Sequence, residues 1–391
     1  MVDEEENGHV LKVRDLTVRF YTYAGIVKAL ENINFDVRNG ETFGIVGETG
    51  CGKSVTALSV MGLTPTPGQV ESGEVLFKRD HRLENLLELD EDELRKIRGN
   101  EISMIFQEPS ESLNPVYSIG DQIAESFLVH RRDEMISKIM DDLKDERAKT
   151  ENTLKKKILG AELSLYRKMN ENPDSLALKI TSKIPIVNRY ENRLEEEARQ
   201  RAIGILDDVG IPDPEDVVDK YPHEMSGGMN QRALISLALA CNPRLLIADE
   251  PTSNLDVSIQ ARILDLIDDM KEEYGVSVLH ITHNLGVVAE NCDRVAVMYA
   301  GEIIEIAEVE ELFENPLHPY TEMLLEAVPS KDKDSLPSVG GSVPDLISPP
   351  EGCRFHPRCP LSVEECEEGP PDLTELEEGH FVACHALEVE K

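Results

Sequence analysis

The sequence predicts an α/β protein, a mostly parallel sheet interrupted by a long helical insertion and followed by a small cysteine-rich extension. Three observations carry this. Apolar, strand-like runs alternate with helix-like periodic runs on either side of the insertion. One such run passes straight through a glycine-rich loop, "ETFGIVGETGCGKS", into an apolar helix-like segment. Residues 131–195 differ in kind from the rest: they hold 15 Lys+Arg and 12 Asp+Glu, a net of +3, in a chain whose net charge is −36.

Taken in order, "LKVRDLTVRF" alternates like a half-buried strand, and "ENINFDV" repeats the pattern before a turn at "RNG". The loop and its helix, "SVTALSVMGL", follow, and then "EISMIFQEP" as a buried strand. From "SIGDQIAESFL" to "ARQRAIGILDDVGI" the pattern is helical, with breaks at "NENPDS" and "KIPIVN". A helix start at "SGGMNQRALISLALAC", a strand in "RLLIADEP", a helix in "SIQARILDLIDDMKEEYG" and a strand in "VSVLHITH" complete the alternation. After Pro329 the composition turns to linker, "SVGGSVPDLISPPEG", and then to cysteines. No repeat of 20–50 residues is visible.

A chain of 391 residues exceeds what one core holds, so two or more packed units are expected. No run is long and apolar enough to span a membrane, and the acidic start "MVDEEENGHV" is unlike a signal peptide, which places the expected site of action in the cytosol. The carboxylates are spread along the chain, which points to a surface adapted to high salt more than to an acidic tail. Charge of this sign argues against general nucleic-acid binding.

Gly47, Glu48, Thr49, Gly50, Cys51, Gly52, Lys53 and Ser54 fit G-x-x-x-x-G-K-[ST], a loop whose backbone N–H groups can turn around a polyphosphate. The helix start that follows, from Val55 onward, adds its positive end. Lys53 is expected on the β/γ-phosphates and Ser54 on Mg²⁺. Leu245 to Ala248 form an apolar strand that delivers Asp249 to the sheet's carboxyl edge as the holder of Mg²⁺. Glu250 is then placed to orient or deprotonate water. Ser226, Gly227 and Gly228 open an apolar helix with a good N-cap and bare amides, either a capped turn or a second anion-binding surface.

Gly47 to Ser54, Gln107 in "MIFQEP", "MSGGM", "LLIADEP", "SNLD" and His283 in "ITHN" occur in the order that resembles ABC-transporter ATPase subunits. The resemblance implies a P-loop NTPase with a RecA-like core, an antiparallel β subdomain and a helical subdomain, forming head-to-tail dimers with two ATP molecules between subunits. The cassette would cover 8–330, its helical subdomain about 110–228 with the charged insert at about 131–195, then a linker at 331–352 and the tail at 353–391. By the same resemblance Gln107 would contact Mg²⁺, and Ser226, Gly227 and Gly228 would grip the γ-phosphate of ATP on the opposite subunit. Asp256 would communicate across the dimer, and His283 would hold phosphate and water with Glu250. Phe20 would stack on adenine, with Tyr21 and Tyr23 as other candidates. Met225, Met229, Asn230 and Asn284 depart from the commonest pattern without removing a catalytic group.

"FQEPSESLNP", "HNLGVVAE", "NPLHPYTEMLLEAVP" and the tail "GCRFHPRCP" further resemble the oligopeptide/dipeptide branch of importers. That implies two transmembrane permease subunits, a second ATPase subunit, identical or different, and an external binding protein, with this chain at the cytoplasmic membrane face. Relatives for oligosaccharides or nickel, a soluble ABC ATPase and a non-hydrolysing regulatory subunit are the alternatives, the last opposed by Glu250. The resemblance implies a [4Fe–4S] cluster on Cys353, Cys359, Cys366 and Cys384. Independently, four cysteines in one short segment of a cytosolic protein argue for metal over disulfide. Zinc and free thiols stay open, with His356, His380 and His385 nearby, although the spacing lacks the C-x₂₋₄-C knuckle of zinc ribbons. Cys51, Cys241 and Cys292 stand apart as loop or core residues. The insert's charges, as in "DDLKDERAKTENTLKKK", suit a solvated ion-paired helix, with contact to anionic lipid as the other reading.

Overall fold

The computed structural model describes residues 8–79, 82–107, 112–171, 188–253, 257–327 and 341–388. The chain divides into two compact units, Met1–Gln107 with Arg244–Lys391, and Glu108–Pro243. The tail therefore belongs to the unit that carries the phosphate loop. The helical unit extends to Pro243 because the helix Gly227–Leu239 packs within it.

The strands of the first unit are β1 (His9–Thr22), β2 (Gly25–Arg38), β3 (Thr42–Val46), β4 (Gly68–Arg79), β5 (Arg82–Asn85), β6 (Ile102–Ile105), β7 (Leu245–Asp249), β8 (Ser277–Thr282), β9 (Arg294–Tyr299), β10 (Glu302–Glu308), β11 (Thr374–Glu377) and β12 (His380–Val382). An antiparallel sheet runs β2-β1-β4-β5, and a larger mixed sheet runs β11-β12-β10-β9-β3-β8-β7-β6. Strands β3, β6, β7, β8 and β9 pair in parallel. They are buried along their whole lengths, which is why they read as continuous apolar runs rather than as alternation. β1 does alternate, and Leu11, Val13, Leu16 and Val18 face a core shared with Ile45, Leu279 and Met298.

The sequence does not announce β11 and β12. Both are short and one is largely charged, "TELE", so neither shows a strand pattern. Pairing supplies what propensity does not: β12 joins β10 antiparallel, Glu305 opposite Val382. The tail is thus an edge of the central sheet. Its Cys353, Phe355 and Cys366 enter a second core with Tyr299, Tyr320 and Leu312. The later linker is also engaged, since Lys28 N–H donates to the Leu346 carbonyl at 2.8 Å.

The second unit packs the helices Ile119–His130, Arg132–Lys149, Thr153–Glu171, Asn188–Asp208 and Gly227–Leu239. The charged insert corrects one expectation. It is ion-paired, but it also buries a stripe, Met135, Ile136, Ile139 and Leu143, whose spacing marks one helical face. Lys138–Glu197 at 2.6 Å and Arg201–Glu134 at 2.9 Å border that face. Exposed pairs of this kind add little each, so the apolar stripe holds the hairpin.

Two histidines of the first unit are buried and neutral. Burial lowers His280 on β8, and His318 before the helix Pro319–Glu326, from 6.5 to about 4. The unfolded chain then binds the extra protons, so their stabilisation is present above pH 6.5 and is lost as pH falls towards 4, by roughly 3 kcal/mol each. Burial pushes Glu302 the opposite way, from 4.5 up to about 7, against the pull of Arg354. Its folded form takes up a proton first, so this term grows as pH falls from 7 to 4.5. Glu302→Gln removes that compensation. Thermal denaturation from pH 7 to 4.5 is expected to show a steeper loss of Tm in Glu302→Gln than in the wild type.

Candidate functional site

The phosphate loop hangs between β3 and the helix Lys53–Val60. Two glycines are required by contact. A Cβ on Gly47 would sit 2.1 Å from the Met298 carbonyl oxygen, and Gly52, at φ +111°, would meet Leu30 at 2.7 Å. Gly301 N–H donates to the Cys51 carbonyl at 2.7 Å, tying the loop to the β9–β10 turn. Lys53 is 5% exposed, and its Nζ donates to the Gly47 and Glu48 carbonyls at 2.8 and 3.1 Å. The ammonium is therefore folded into the loop, where the phosphates of a nucleotide would compete for it.

Ser54 Oγ donates to Asp249 Oδ1 at 3.2 Å. Burial raises the Asp249 pKa, with the Ser54 hydrogen bond opposing it. A hydroxyl and a buried carboxylate side by side fit a hard divalent cation with oxygen ligands. Glu250 follows at φ +46°, a conformation uncommon for a side-chain-bearing residue, and its amide is held by the Ile281 carbonyl at 2.9 Å. Its two carboxylate oxygens are both engaged. His283 Nδ1 lies 3.0 Å from Oε1, and Gln107 Nε2 donates to Oε2 at 3.1 Å. Gln107, expected on Mg²⁺, has its amide on Glu250 here. Ser253 Oγ donates to the Gln107 carbonyl at 3.0 Å, fixing that residue from its other side.

Phe20 is half-buried on β1 and packs against the first core, with its ring edge at Gly68. Tyr21 is 44% exposed and donates its hydroxyl to Glu71, and Tyr23 is fully exposed. Asp256 lies outside the described residues. In the second unit Ser226 caps its helix, Oγ accepting from Met229 N–H at 3.4 Å. Ser226 and Gly227 are exposed, and a Cβ on Gly227 would meet nothing within 4 Å, so this helix start is uncrowded. Asn230 Nδ2 donates to the Pro222 carbonyl at 3.0 Å, which gives that departure a local role.

In the tail Cys353, Cys366 and Cys384 are buried and Cys359 is half-buried. Burial pushes the Cys353 thiol up to about 12, with charge on Cys366 and Cys384 adding to it. Cys359 and Cys384 are raised for the same reasons, first burial and then neighbouring thiols. Among the described residues no three of the four sulfurs lie within 4.8 Å of one another. A tetrahedral zinc with Zn–S near 2.3 Å would hold its sulfurs only about 3.8 Å apart. Each nearby histidine has a ring nitrogen engaged with a protein oxygen: His356 with the Cys353 carbonyl, His380 with Glu305, and His385 with the Gly369 carbonyl. His380, Glu311 and Glu377 form a further group whose ligand atoms lie within 4.8 Å. There the His380–Glu305 bond, 2.8 Å and fully buried, latches β12 to β10.

Sequence reasoning did not find the contact between the tail and the phosphate loop. Arg358 donates to both carboxylate oxygens of Glu48, at 3.0 and 3.3 Å. A basic residue within "FHPRC" is the only local signal, and it does not point to a partner far away in sequence.

The ABC transporter profile matches residues 30–253, and a profile for the C-terminal region of oligopeptide/dipeptide transporters matches residues 304–366. A "Probable peptide ABC transporter ATP-binding protein" of Sinorhizobium fredii is 44% identical over 96% of this chain and 94% of its own length. A dipeptide transport ATP-binding protein of Lactococcus lactis is 42% identical over 97% of this chain and 91% of its own. A solved dimeric ATP-binding cassette bound to ADP and phosphate covers 76% of this chain and 98% of its own, at 24% identity and a TM-score of 0.53.

Proposed function

This chain belongs to the ABC transporter ATP-binding subunits, and from that premise we propose that it hydrolyses ATP to energise import of peptides through a membrane permease. The observation that carries the chemistry is Glu250, gripped on one carboxylate oxygen by His283 and on the other by Gln107 beside the phosphate loop. Lys53 and the loop amides would bind the β- and γ-phosphates, and Mg²⁺, which Ser54 and Asp249 would hold, would supply positive charge to offset theirs. Glu250 orients the attacking water and takes its proton as the water oxygen bonds to the γ-phosphorus, and ADP leaves with the bond to its β-phosphate oxygen broken. His283 holds Glu250 and the γ-phosphate in line.

The exposed Ser226 and Gly227 support a second contact, to ATP carried by another ATPase subunit, identical or not. Asp256 takes its place in that dimer through sequence order alone. Phe20 remains the adenine-stacking residue by position. In the helical unit Tyr117 and Val129 are exposed and line a pocket of about 330 Å³, with Val116 exposed beside Tyr117 in sequence, a surface suited to a permease loop. No described helix is long and apolar enough to cross a membrane. Peripheral attachment at the cytoplasmic face follows from the permease, and peptide capture falls to an external binding protein.

For the tail, four cysteines in one segment, three of them buried and Cys359 half-buried, support a [4Fe–4S] cluster on Cys353, Cys359, Cys366 and Cys384. Bound there, it would let four thiols be thiolates inside a core that otherwise disfavours their charge. The net charge of −36 supports a surface suited to high salt. The reading is tested by phosphate release from MgATP. Wild type is expected to turn over and Lys53→Ala to lose binding and turnover together. Equal rates in both would refute it.

A further inference from the structure

Arg358 sits in the short turn His356–Arg358, between Phe355 of the second core and Cys359. Its side chain is 7% exposed. It forks onto Glu48, donates to Tyr299 Oη at 3.1 Å, and lies 5.6 and 5.8 Å from the ring centres of Tyr299 and Phe355. The Glu48 interaction raises the Arg358 pKa, so the cation is fixed. Glu48 is the second residue of the phosphate loop, and its main chain is held as well. Its N–H donates to Tyr320 Oη at 3.2 Å, and its carbonyl accepts from Lys53.

A carboxylate in a loop that receives a polyphosphate is electrostatically wrong unless it is neutralised and turned aside. Two parallel N–H···O bonds from a buried arginine do both. Resting on the ATPase reading above, we infer that Arg358 is a positioning residue for nucleotide binding: the C-terminal tail neutralises Glu48 and sets the shape of the phosphate loop. Nucleotide affinity then depends on the tail being folded, because Phe355 and Cys359 hold the turn that presents Arg358.

The test uses the full-length chain, with equilibrium binding of MgADP and steady-state hydrolysis of MgATP as readouts. Arg358→Ala leaves Glu48 unpaired beside the phosphates and is expected to weaken MgADP binding about tenfold and to raise KM more than it lowers kcat. Arg358→Lys, charged but not forked, recovers part of the loss. The double variant Glu48→Gln with Arg358→Ala binds MgADP more tightly than Arg358→Ala alone, although it carries more substitutions. Should Arg358→Ala not fold, Glu48→Gln by itself carries the test, because removing the negative charge is expected to tighten MgADP binding. Wild-type affinity in Arg358→Ala, no recovery in the double variant, or weaker binding in Glu48→Gln would each overturn the inference. A wild-type chain that binds no MgADP would instead defeat the ATPase reading.

Discussion

Glu250→Gln stops steady-state phosphate release while MgATP still binds. The substitution keeps the shape of the side chain and an oxygen for His283 or Gln107 to meet, but removes the group that accepts a proton from water. Loss of a positioned general base costs about 10²–10⁴-fold in rate, and the cost rises when the same group also aligns the water. Glu250 is held for this task at some expense, in a positive-φ backbone with both carboxylate oxygens bonded. Lys53, Ser54 and Asp249 are untouched by the change, so nucleotide affinity stays near the wild-type value. The two readouts separate the roles: turnover lost with binding kept identifies Glu250 as the base, whereas loss of both identifies a residue that only shapes the site. His283→Ala is expected to fall between, since it removes one of two supports for Glu250.

The second large effect concerns the tail. With the proposed cluster on the four cysteines, Cys366→Ser is expected to abolish iron and acid-labile sulfide in anaerobically purified protein and to lower Tm by several degrees. Cys366 is buried in the second core, and its carbonyl accepts from Cys353 N–H at 2.9 Å, so the residue ties the middle of the cysteine segment to its first cysteine. Serine places a hydroxyl among apolar groups, at about 1–3 kcal/mol when unpaired, and the stabilisation that the proposed cluster would supply is lost with it. Because the tail contributes β12 to the central sheet and Phe355 to the aromatic cluster of Tyr299 and Tyr320, the damage reaches the ATPase core. Cys292→Ser serves as the comparison. That thiol is half-buried and pushed up to about 12, but it stands apart from the four, so iron content is expected to stay unchanged.

The parts of the site that were legible in the sequence are those whose chemistry is local. Gly47 to Ser54, Asp249 and Glu250 are short runs attached to apolar strands, and β3 and β7 deliver them where the runs imply. The buried stripe of the insert was present in the spacing of Met135, Ile136, Ile139 and Leu143, but the density of charge around it obscured the period. What could not be read depends on distant pairing. β11 and β12 have almost no intrinsic strand character and exist because β10 offers an edge. The Arg358–Glu48 contact joins opposite ends of the chain. The backbone of Glu250 is set by its bond to Ile281 across the sheet, which no local pattern encodes.

The most direct test is ATP-driven uptake of a labelled oligopeptide by proteoliposomes holding the permease subunits with this chain inside and the binding protein outside. Accumulation that requires internal MgATP and disappears in Glu250→Gln is the result expected. Robust MgATP hydrolysis by this chain in the assembled transporter, with no accumulation of any peptide offered, would contradict the assignment to peptide import.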